Sequence, residues 1–338
     1  MAGLAGGVLV AASLLAGPGA SDFQPAPAYT VSGRVVFSTG VLPPTLTVMI
    51  HKPTPTGSEG RSCDLSPDSR FVARDLTPGT YILEAGPMAD PAGHPPGVPR
   101  GFAVVTIRDA DVDGVVIDAA PGATVRGRVR FDEARGSSSR PSPVNVQAML
   151  ALTDWHGPAE TALMADDGTF ELRDLRGPRV IRVGYGLAAD GNPWWFSQVL
   201  LGERDITNEA VDFSAAPAGD LVLVFTQRPS AVVGRVEDVA GLPMSGACVV
   251  LLPEDADLQV GWSTAVGARE ADQRGRFYFT SMPPGEYHLA AYEAARCPTA
   301  GEVLDLADDI ERVGTTVQIG ESAVARVILP GASRPLRP

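Results

Sequence analysis

The sequence predicts an all-β protein built as three tandem β-sandwiches. Three observations carry that prediction. An alternating strand built on Gly-Arg-Val occurs three times. A turn followed by a phenylalanine-bearing strand follows each copy, and a tight turn into a further apolar strand comes next.

The first marker reads VSGRVVF at 31–37, VRGRVRF at 125–131 and VVGRVED at 232–238. Its glycines, Gly33, Gly127 and Gly234, lie 94 and then 107 residues apart, which suits one small β domain each. The second marker supplies Phe71, Phe170 and Phe277, which lie 38, 43 and 43 residues after the glycine of their own copy. Asp167-Gly168 suits a hairpin turn, because both residues tolerate positive φ. Alternation puts Phe170 with Leu172, and Phe277 with Phe279, on one face. The third marker, LTPGTYILEA and MPPGEYHLAAY, holds Pro-Gly and fits a type II turn with glycine at the positive-φ position. Tyr81 and Tyr287 each fall ten residues after their phenylalanine. Tyr81, Leu83 and Ala85 are expected on one face, as are Tyr287, Leu289 and Ala291. The second copy departs. Its turn reads Gly177-Pro178, and its alternation, Ile181, Val183 and Tyr185, is one residue out of step, so its register stays open. A closing strand ends each copy and in the first two runs straight into the next Gly-Arg-Val, so the linkers are short. RFDEARGSSSRPSP (130–143) reads as the most flexible loop. The expected boundaries are 29–120, 121–228 and 229–330, with a signal peptide and tail at 1–28 and a C-terminal tail at 331–338.

Composition agrees. The 37 glycines and 30 prolines are spread between apolar runs, where they read as turns. The net charge is −13 and no basic stripe is visible, so nucleic acid is not an expected partner. Three cysteines are too few for a disulfide scaffold. Cys248, in GACVVLL, reads either as a buried thiol or as a partner of Cys297 in the same copy; a bridge needs a geometry that sequence does not supply. Leu4 to Gly17 has the length of a signal-peptide core and is too short to span a bilayer. A cut after Ala20 fits, although no basic residue precedes the core. The chain is therefore expected to be exported, to the periplasm, the cell surface or the outside. No cysteine follows the apolar core, so a lipid anchor is not indicated. No later segment is long and apolar enough to read as a membrane span.

These three markers resemble the carboxypeptidase regulatory-like domain over about residues 29 to 330, most closely in the third copy. The stretch WWFSQVLLGERDITNEAVDF (194–213) is also similar to a segment of tandem members of that family. The resemblance implies seven-stranded, transthyretin-like β-sandwiches, grouped with carbohydrate-binding-like folds. It also implies an exported, non-catalytic accessory module. Its motifs are turn and core signatures and specify no ligand.

The residues give no support to catalysis. His51, His94, His156 and His288 are followed three positions on by Thr54, Gly97, Ala159 and Ala291, so none begins a His-x-x-Glu zinc pair. His288 reads as an exposed strand histidine. Gly-x-Ser-x-Gly, the P-loop and the dinucleotide glycine motif are missing. No catalytic residue and no cofactor is expected. Lysine is confined to the first copy, as Lys52, and asparagine to the second, so no copy can form an internal Lys–Asn cross-link. Asp109, Asp111 and Asp113 before Gly114 begin like a calcium loop, but Ala120 stands where the bidentate glutamate belongs. A weak calcium site or a solvated turn are the two readings, and the turn is preferred. Trp194 and Trp195 are adjacent on a strand and must face opposite ways, so one can fill the core and the other face outward. An outward tryptophan can stack on a sugar ring. Trp155 and Trp262 are the other carbohydrate-binding candidates. The expected function is a binding or spacer module at the envelope or outside the cell, its partner a polysaccharide or an envelope protein.

Overall fold

The structure, a computed structural model, describes residues 27–38, 45–54, 57–87, 97–132, 139–151, 159–186, 194–215, 219–293 and 296–335. The signal segment, Trp155 and residues 133–138 of the loop expected to be flexible lie outside the described residues. The first unit holds β1 (Tyr29–Phe37), β2 (Leu46–Thr54), β3 (Gly57–Ser62), β4 (Asp64–Leu65), β5 (Arg70–Leu76), β6 (Gly79–Pro87), β7 (Gly101–Ile107) and β8 (Val112–Ala119). The second holds β9 (Ala123–Asp132), β10 (Val144–Leu150), β11 (Glu160–Leu163), β12 (Thr169–Leu175), β13 (Pro178–Tyr185), β14 (Trp195–Leu201), β15 (Arg204–Asp205), β16 (Val211–Asp212) and β17 (Leu221–Thr226). The third holds β18 (Ala231–Glu237), β19 (Cys248–Pro253), β20 (Gly267–Glu270), β21 (Arg276–Thr280), β22 (Gly285–Glu293), β23 (Thr315–Ile319) and β24 (Val324–Pro335). Among the described residues the third unit thus has the expected seven strands, and the other two add short ones.

Each unit is a sandwich with its own apolar core. Sheet β4-β5-β1-β8 faces β3-β2-β6-β7, and β12-β9-β17-β14-β15 faces β11-β10-β13-β16. In the third unit β24 pairs with both β18 and β22 and so joins its two sheets. That pairing carries β24 on to Pro335, so residues 331–335, expected as a tail, are strand. The first strand of every unit lies parallel to its last: β1 to β8, β9 to β17 and β18 to β24.

The repeated glycine and the repeated phenylalanine are one feature. Gly33 lies opposite Phe71, Gly127 opposite Phe170 and Gly234 opposite Phe277. The ring covers the glycine. A Cβ there would sit 2.7, 2.2 and 2.4 Å from the ring tip, respectively. It would also press on a carbonyl oxygen of the neighbouring parallel strand. Only glycine lets the ring lie down on the backbone.

The turn after each phenylalanine strand differs from expectation. Gly79 and Gly285 have φ of 144° and 156°, far from the roughly +80° of a type II turn. The left-handed residue comes earlier, at Asp75 (57°), Asp174 (58°) and Ser281 (60°), four residues after each phenylalanine. The tyrosines behave as expected. Tyr81, Leu83 and Ala85 enter the first core, and Tyr287, Leu289 and Ala291 the third. Their hydroxyls donate to the carbonyls of Thr77 (2.9 Å) and Pro283 (2.7 Å), four residues back.

The third unit also carries two short helices, α1 (Ala300–Leu304) and α2 (Ala307–Val313), which an all-β reading omits. They cover the outer face of β19 and β22, and Val303 and Ile310 pack there on Val250, Leu252 and Tyr292. A strand buried on both faces is why CVVLLP is apolar throughout. The signal for α1 was legible as Thr299 followed three residues later by Glu302, which form a capping box. Cys248 is bridged to Cys297, tying the lead-in to α1 to β19. Closing 49 residues of chain restricts the unfolded state by about 4 kcal/mol in the loop-entropy treatment. His288 is not exposed as expected: its side chain is 12% accessible and pairs with Glu254 at 2.6 Å.

Candidate functional site

The predicted binding residues are dispersed. Trp194 is 4% exposed and meets Phe131 edge to face at 5.1 Å, and its Nε1 donates to Ser139 O at 2.8 Å. It fills the second core, which removes it as a sugar platform. Trp195 is half-buried on the opposite face of β14. Trp262 is half-buried and turned to the second unit, as described below. Asp109 is exposed. Asp111 accepts from Thr30 N (2.8 Å) and Asp113 from Ser32 Oγ (2.7 Å), so these two carboxylates brace β1. No group of three or more acidic, His or Cys side chains among the described residues is placed to hold a metal.

What the structure does bring together lies between the units. At the first junction Arg100 pairs with Glu84 of β6 and reaches Glu160 of β11 at 3.1 Å. Arg179 of β13 holds the other oxygen of Glu160 at 2.9 Å. All four side chains are at most 24% exposed, and Arg179 is 6% exposed. Burial pushes the Glu160 carboxyl above its usual range, and Arg179 and Arg100 pull it back. Burial also lowers Arg179. Asp174 accepts from Gly97 N at 3.0 Å, Arg176 pairs with Asp118 at 3.3 Å, and Phe102 of the first unit lies 5.5 Å under the Arg179 guanidinium. The cavity here is about 30 Å³, room for a water or two and not for a substrate.

This junction explains the second copy's departure from the repeat. Its turn, Leu175-Arg176-Gly177-Pro178-Arg179, is one residue shorter than Leu76-Thr77-Pro78-Gly79-Thr80-Tyr81. The central ladder then places Arg179 opposite Leu150, just as Tyr287 stands opposite Pro253. Arg179 therefore occupies the tyrosine's place. Its Nε donates to Arg176 O at 2.8 Å, replacing the tyrosine's bond to its own turn. Ile181, Val183 and Tyr185 keep the inward face, which settles the register. Gly177, at φ 66°, lies beneath Phe102, whose ring a Cβ would meet at 2.3 Å.

The second junction uses an amide. The carboxylate of Asp205 accepts from the backbone and hydroxyl of Thr207, and Val199 N donates to the Thr207 hydroxyl at 2.9 Å. That folds the Asp205-Ile206-Thr207-Asn208 segment and presents Asn208. Its Oδ1 accepts from Thr264 N (2.8 Å) and Oγ1 (3.1 Å), and its carbonyl accepts from Trp262 Nε1 at 3.3 Å. The linkers are residues 120–122 and 227–230. Sequence reasoning missed both clusters, because each is assembled from separate elements. The broken repeat at Gly177-Pro178 was the available signal.

No protein-family model matches the chain, and no curated protein is significantly similar to it. Among solved structures, the Bacillus anthracis TIE protein aligns with 90% of this chain at 10% identity and a TM-score of 0.22. The alignment covers 51% of that protein, so this chain spans about half its length. A streptococcal ancillary pilin aligns with 91% of this chain and 100% of its own, at 11% identity and a TM-score of 0.21. Two B repeat units of the Staphylococcus aureus collagen-binding protein align with 81% of this chain and 72% of their own, at 13% identity and a TM-score of 0.20. Alignments with TM-scores this low say nothing about function.

Proposed function

We propose that the chain is a non-catalytic, exported protein of tandem carboxypeptidase regulatory-like domains, serving as a binding or spacer module at the envelope or outside the cell. Its domains are the three sandwiches, 29–120, 121–228 and 229–335. The observation that supports this reading most is that both junctions are engaged. A buried four-member ion network and an asparagine clamp span linkers of three and four residues. Free beads on a string have no use for a buried carboxylate shared across a joint, since leaving it unpaired is costly. A spacer has: it must hold its ends at a set separation.

Small-angle scattering on the full chain tests this, with Glu160→Ala and Asn208→Ala beside it. The expected result is one narrow size distribution that broadens in each variant. A wild-type distribution as broad as that of freely jointed domains would sink the spacer reading. The carbohydrate alternative is left with Trp195 among the described tryptophans, and a polysaccharide screen with Trp195→Ala addresses it.

A further inference from the structure

One cross-strand pair separates the second unit from the third. It joins the residue after the shared phenylalanine to the residue before the shared glycine, and it lies on the outer face of the sheet. In the second unit the pair is Glu171 and Arg126, bonded at 3.1 Å, and Arg173 holds the other oxygen of Glu171 at 2.6 Å. In the third unit it is Tyr278 and Val233. The flanking parallel strand changes in step. Asp220 precedes the ladder partner of Gly127, whereas Arg326 precedes the ladder partner of Gly234. The first unit has Val72 and Gly114 in the places of Tyr278 and Arg326. The second unit therefore satisfies its own charges here, and the third presents an aromatic ring and a further cation to solvent.

These residues line a groove of about 930 Å³ in the third unit. Its floor is apolar, with Tyr278 62% exposed and Ile328 61% exposed. The ladders put Tyr278 and Arg326 on either side of Val233, about 10 Å apart at the backbone. The other lining arginines are engaged. Arg276 holds Asp272 at 2.8 Å, Arg235 pairs with Glu237, and Arg269 lies over the Phe279 ring at 5.8 Å. Arg326 is exposed and has no ion-pair partner among the described residues. Glu270 is the lining carboxylate that no described arginine holds. The backbone edge beside Tyr278 belongs to the unit itself: Asp272 N donates to Arg276 O, and Ala271 is buried in the core. The groove thus offers side chains to a ligand and no ladder to a peptide strand.

We propose that this groove binds an acidic polysaccharide, with a sugar ring stacked on Tyr278 and a uronate carboxylate held by Arg326. A uronate chain carries both complements along its length. The C–H face of its ring fits a rigid aromatic face, and its carboxylate fits the two parallel donors of a guanidinium. An arginine answers a planar carboxylate where a lysine would offer only a point charge. In a chain of net charge −13, a groove with four arginines against two carboxylates is also the place where a polyanion meets least repulsion. The inference deepens the binding half of the proposed function and rests on it.

The test uses the full chain with labelled oligogalacturonate and labelled alginate oligosaccharide, followed by fluorescence anisotropy. Saturable binding of at least one is expected. It should weaken at least tenfold when the carboxylates of the bound oligosaccharide are methyl-esterified. It should weaken as much in Tyr278→Ala and in Arg326→Asp, which copies the second unit; both side chains are exposed, and unchanged melting temperatures would confirm that the fold is kept. Trp195→Ala should bind as wild type. No saturable binding of either oligosaccharide overturns the proposal. So does loss of binding in Trp195→Ala with none in Tyr278→Ala. Polyglutamate of equal charge bound as tightly, with the same dependence on Tyr278, also overturns it and assigns the groove to an acidic protein segment. Failure here leaves the scattering result untouched, and freely jointed scattering leaves oligosaccharide binding untouched.

Discussion

The corner of the second sandwich and the corner of the third occupy one place in the repeat and perform different work. In the third, Tyr287 is fully buried and ties its own turn to its own core. In the second, the turn has lost a residue and an arginine stands there. It still bonds to its own turn, and its charge serves the neighbouring unit through Glu160 and Phe102. A packing residue has become a joint without any change in the surrounding ladder. The difference teaches where a tandem protein can place an interface: at a position the core already orders, so that little new side-chain freedom has to be lost.

The largest expected effect breaks the second corner. Arg179→Ala leaves Glu160 buried with Arg100 as its remaining close cation, and losing one partner of a buried pair costs about 3–5 kcal/mol. Hydrogen exchange by mass spectrometry resolves the units, and the loss should fall on β10, β11 and β13. Replacing both Arg179 and Glu160 by methionine should return most of it, because two apolar side chains leave no stranded charge. A double variant no better than Arg179→Ala would mean that the arginine acts by packing alone.

A smaller effect should fall on both units alike. Gly127→Ala and Gly234→Ala each force a Cβ against a phenylalanine ring at 2.2 and 2.4 Å. Overpacking of this kind costs about 1–3 kcal/mol. The cost should match in the two units, since the contact does not involve the corner. Denaturant titration with exchange read-out checks it. A large cost in one unit and none in the other would show that the shared glycine is not a shared constraint.

The sandwiches were legible because their signatures are local. Gly234 and Phe277 are far apart in sequence, yet each announces itself in a run of seven to eleven residues, and the ladder merely joins them. The inward sets at Tyr81 and Tyr287 followed from period two alone. The joints were not legible. Arg100, Glu160 and Arg179 come from three elements, and nothing near any of them in sequence calls for the others. The phase slip at Ile181 could be seen, but its cause, a shortened turn that moves Arg179 into a tyrosine's place, needs the ladder. The tryptophans misled for a related reason. Alternation says that Trp194 and Trp195 face apart and cannot say which is outside; the one that meets Phe131 is inside.

The smallest effect sharpens the comparison from the third unit's side. Tyr287→Phe keeps the ring and removes the hydroxyl, so the Pro283 carbonyl loses its 2.7 Å donor, at about 1 kcal/mol. Unlike Arg179→Ala, it should leave the size distribution of the chain unchanged, because nothing across a joint depends on it. It also has a pH signature. Burial, with the Asp255 charge adding to it, pushes the Tyr287 hydroxyl well above the ordinary tyrosine range. The folded state therefore keeps its proton at a pH where the unfolded chain gives it up, near the ordinary value of about 10. A group raised in this way contributes stability that is whole below the unfolded pKa and lost as pH rises. The gap between wild type and Tyr287→Phe should hold steady from pH 7 to 9 and close above about 10. Denaturant midpoints at pH 7, 9 and 10.5 would show it. A gap that stays constant across all three would mean that the hydroxyl ionises as easily in the folded protein as in the unfolded one, and that the corner is open to water.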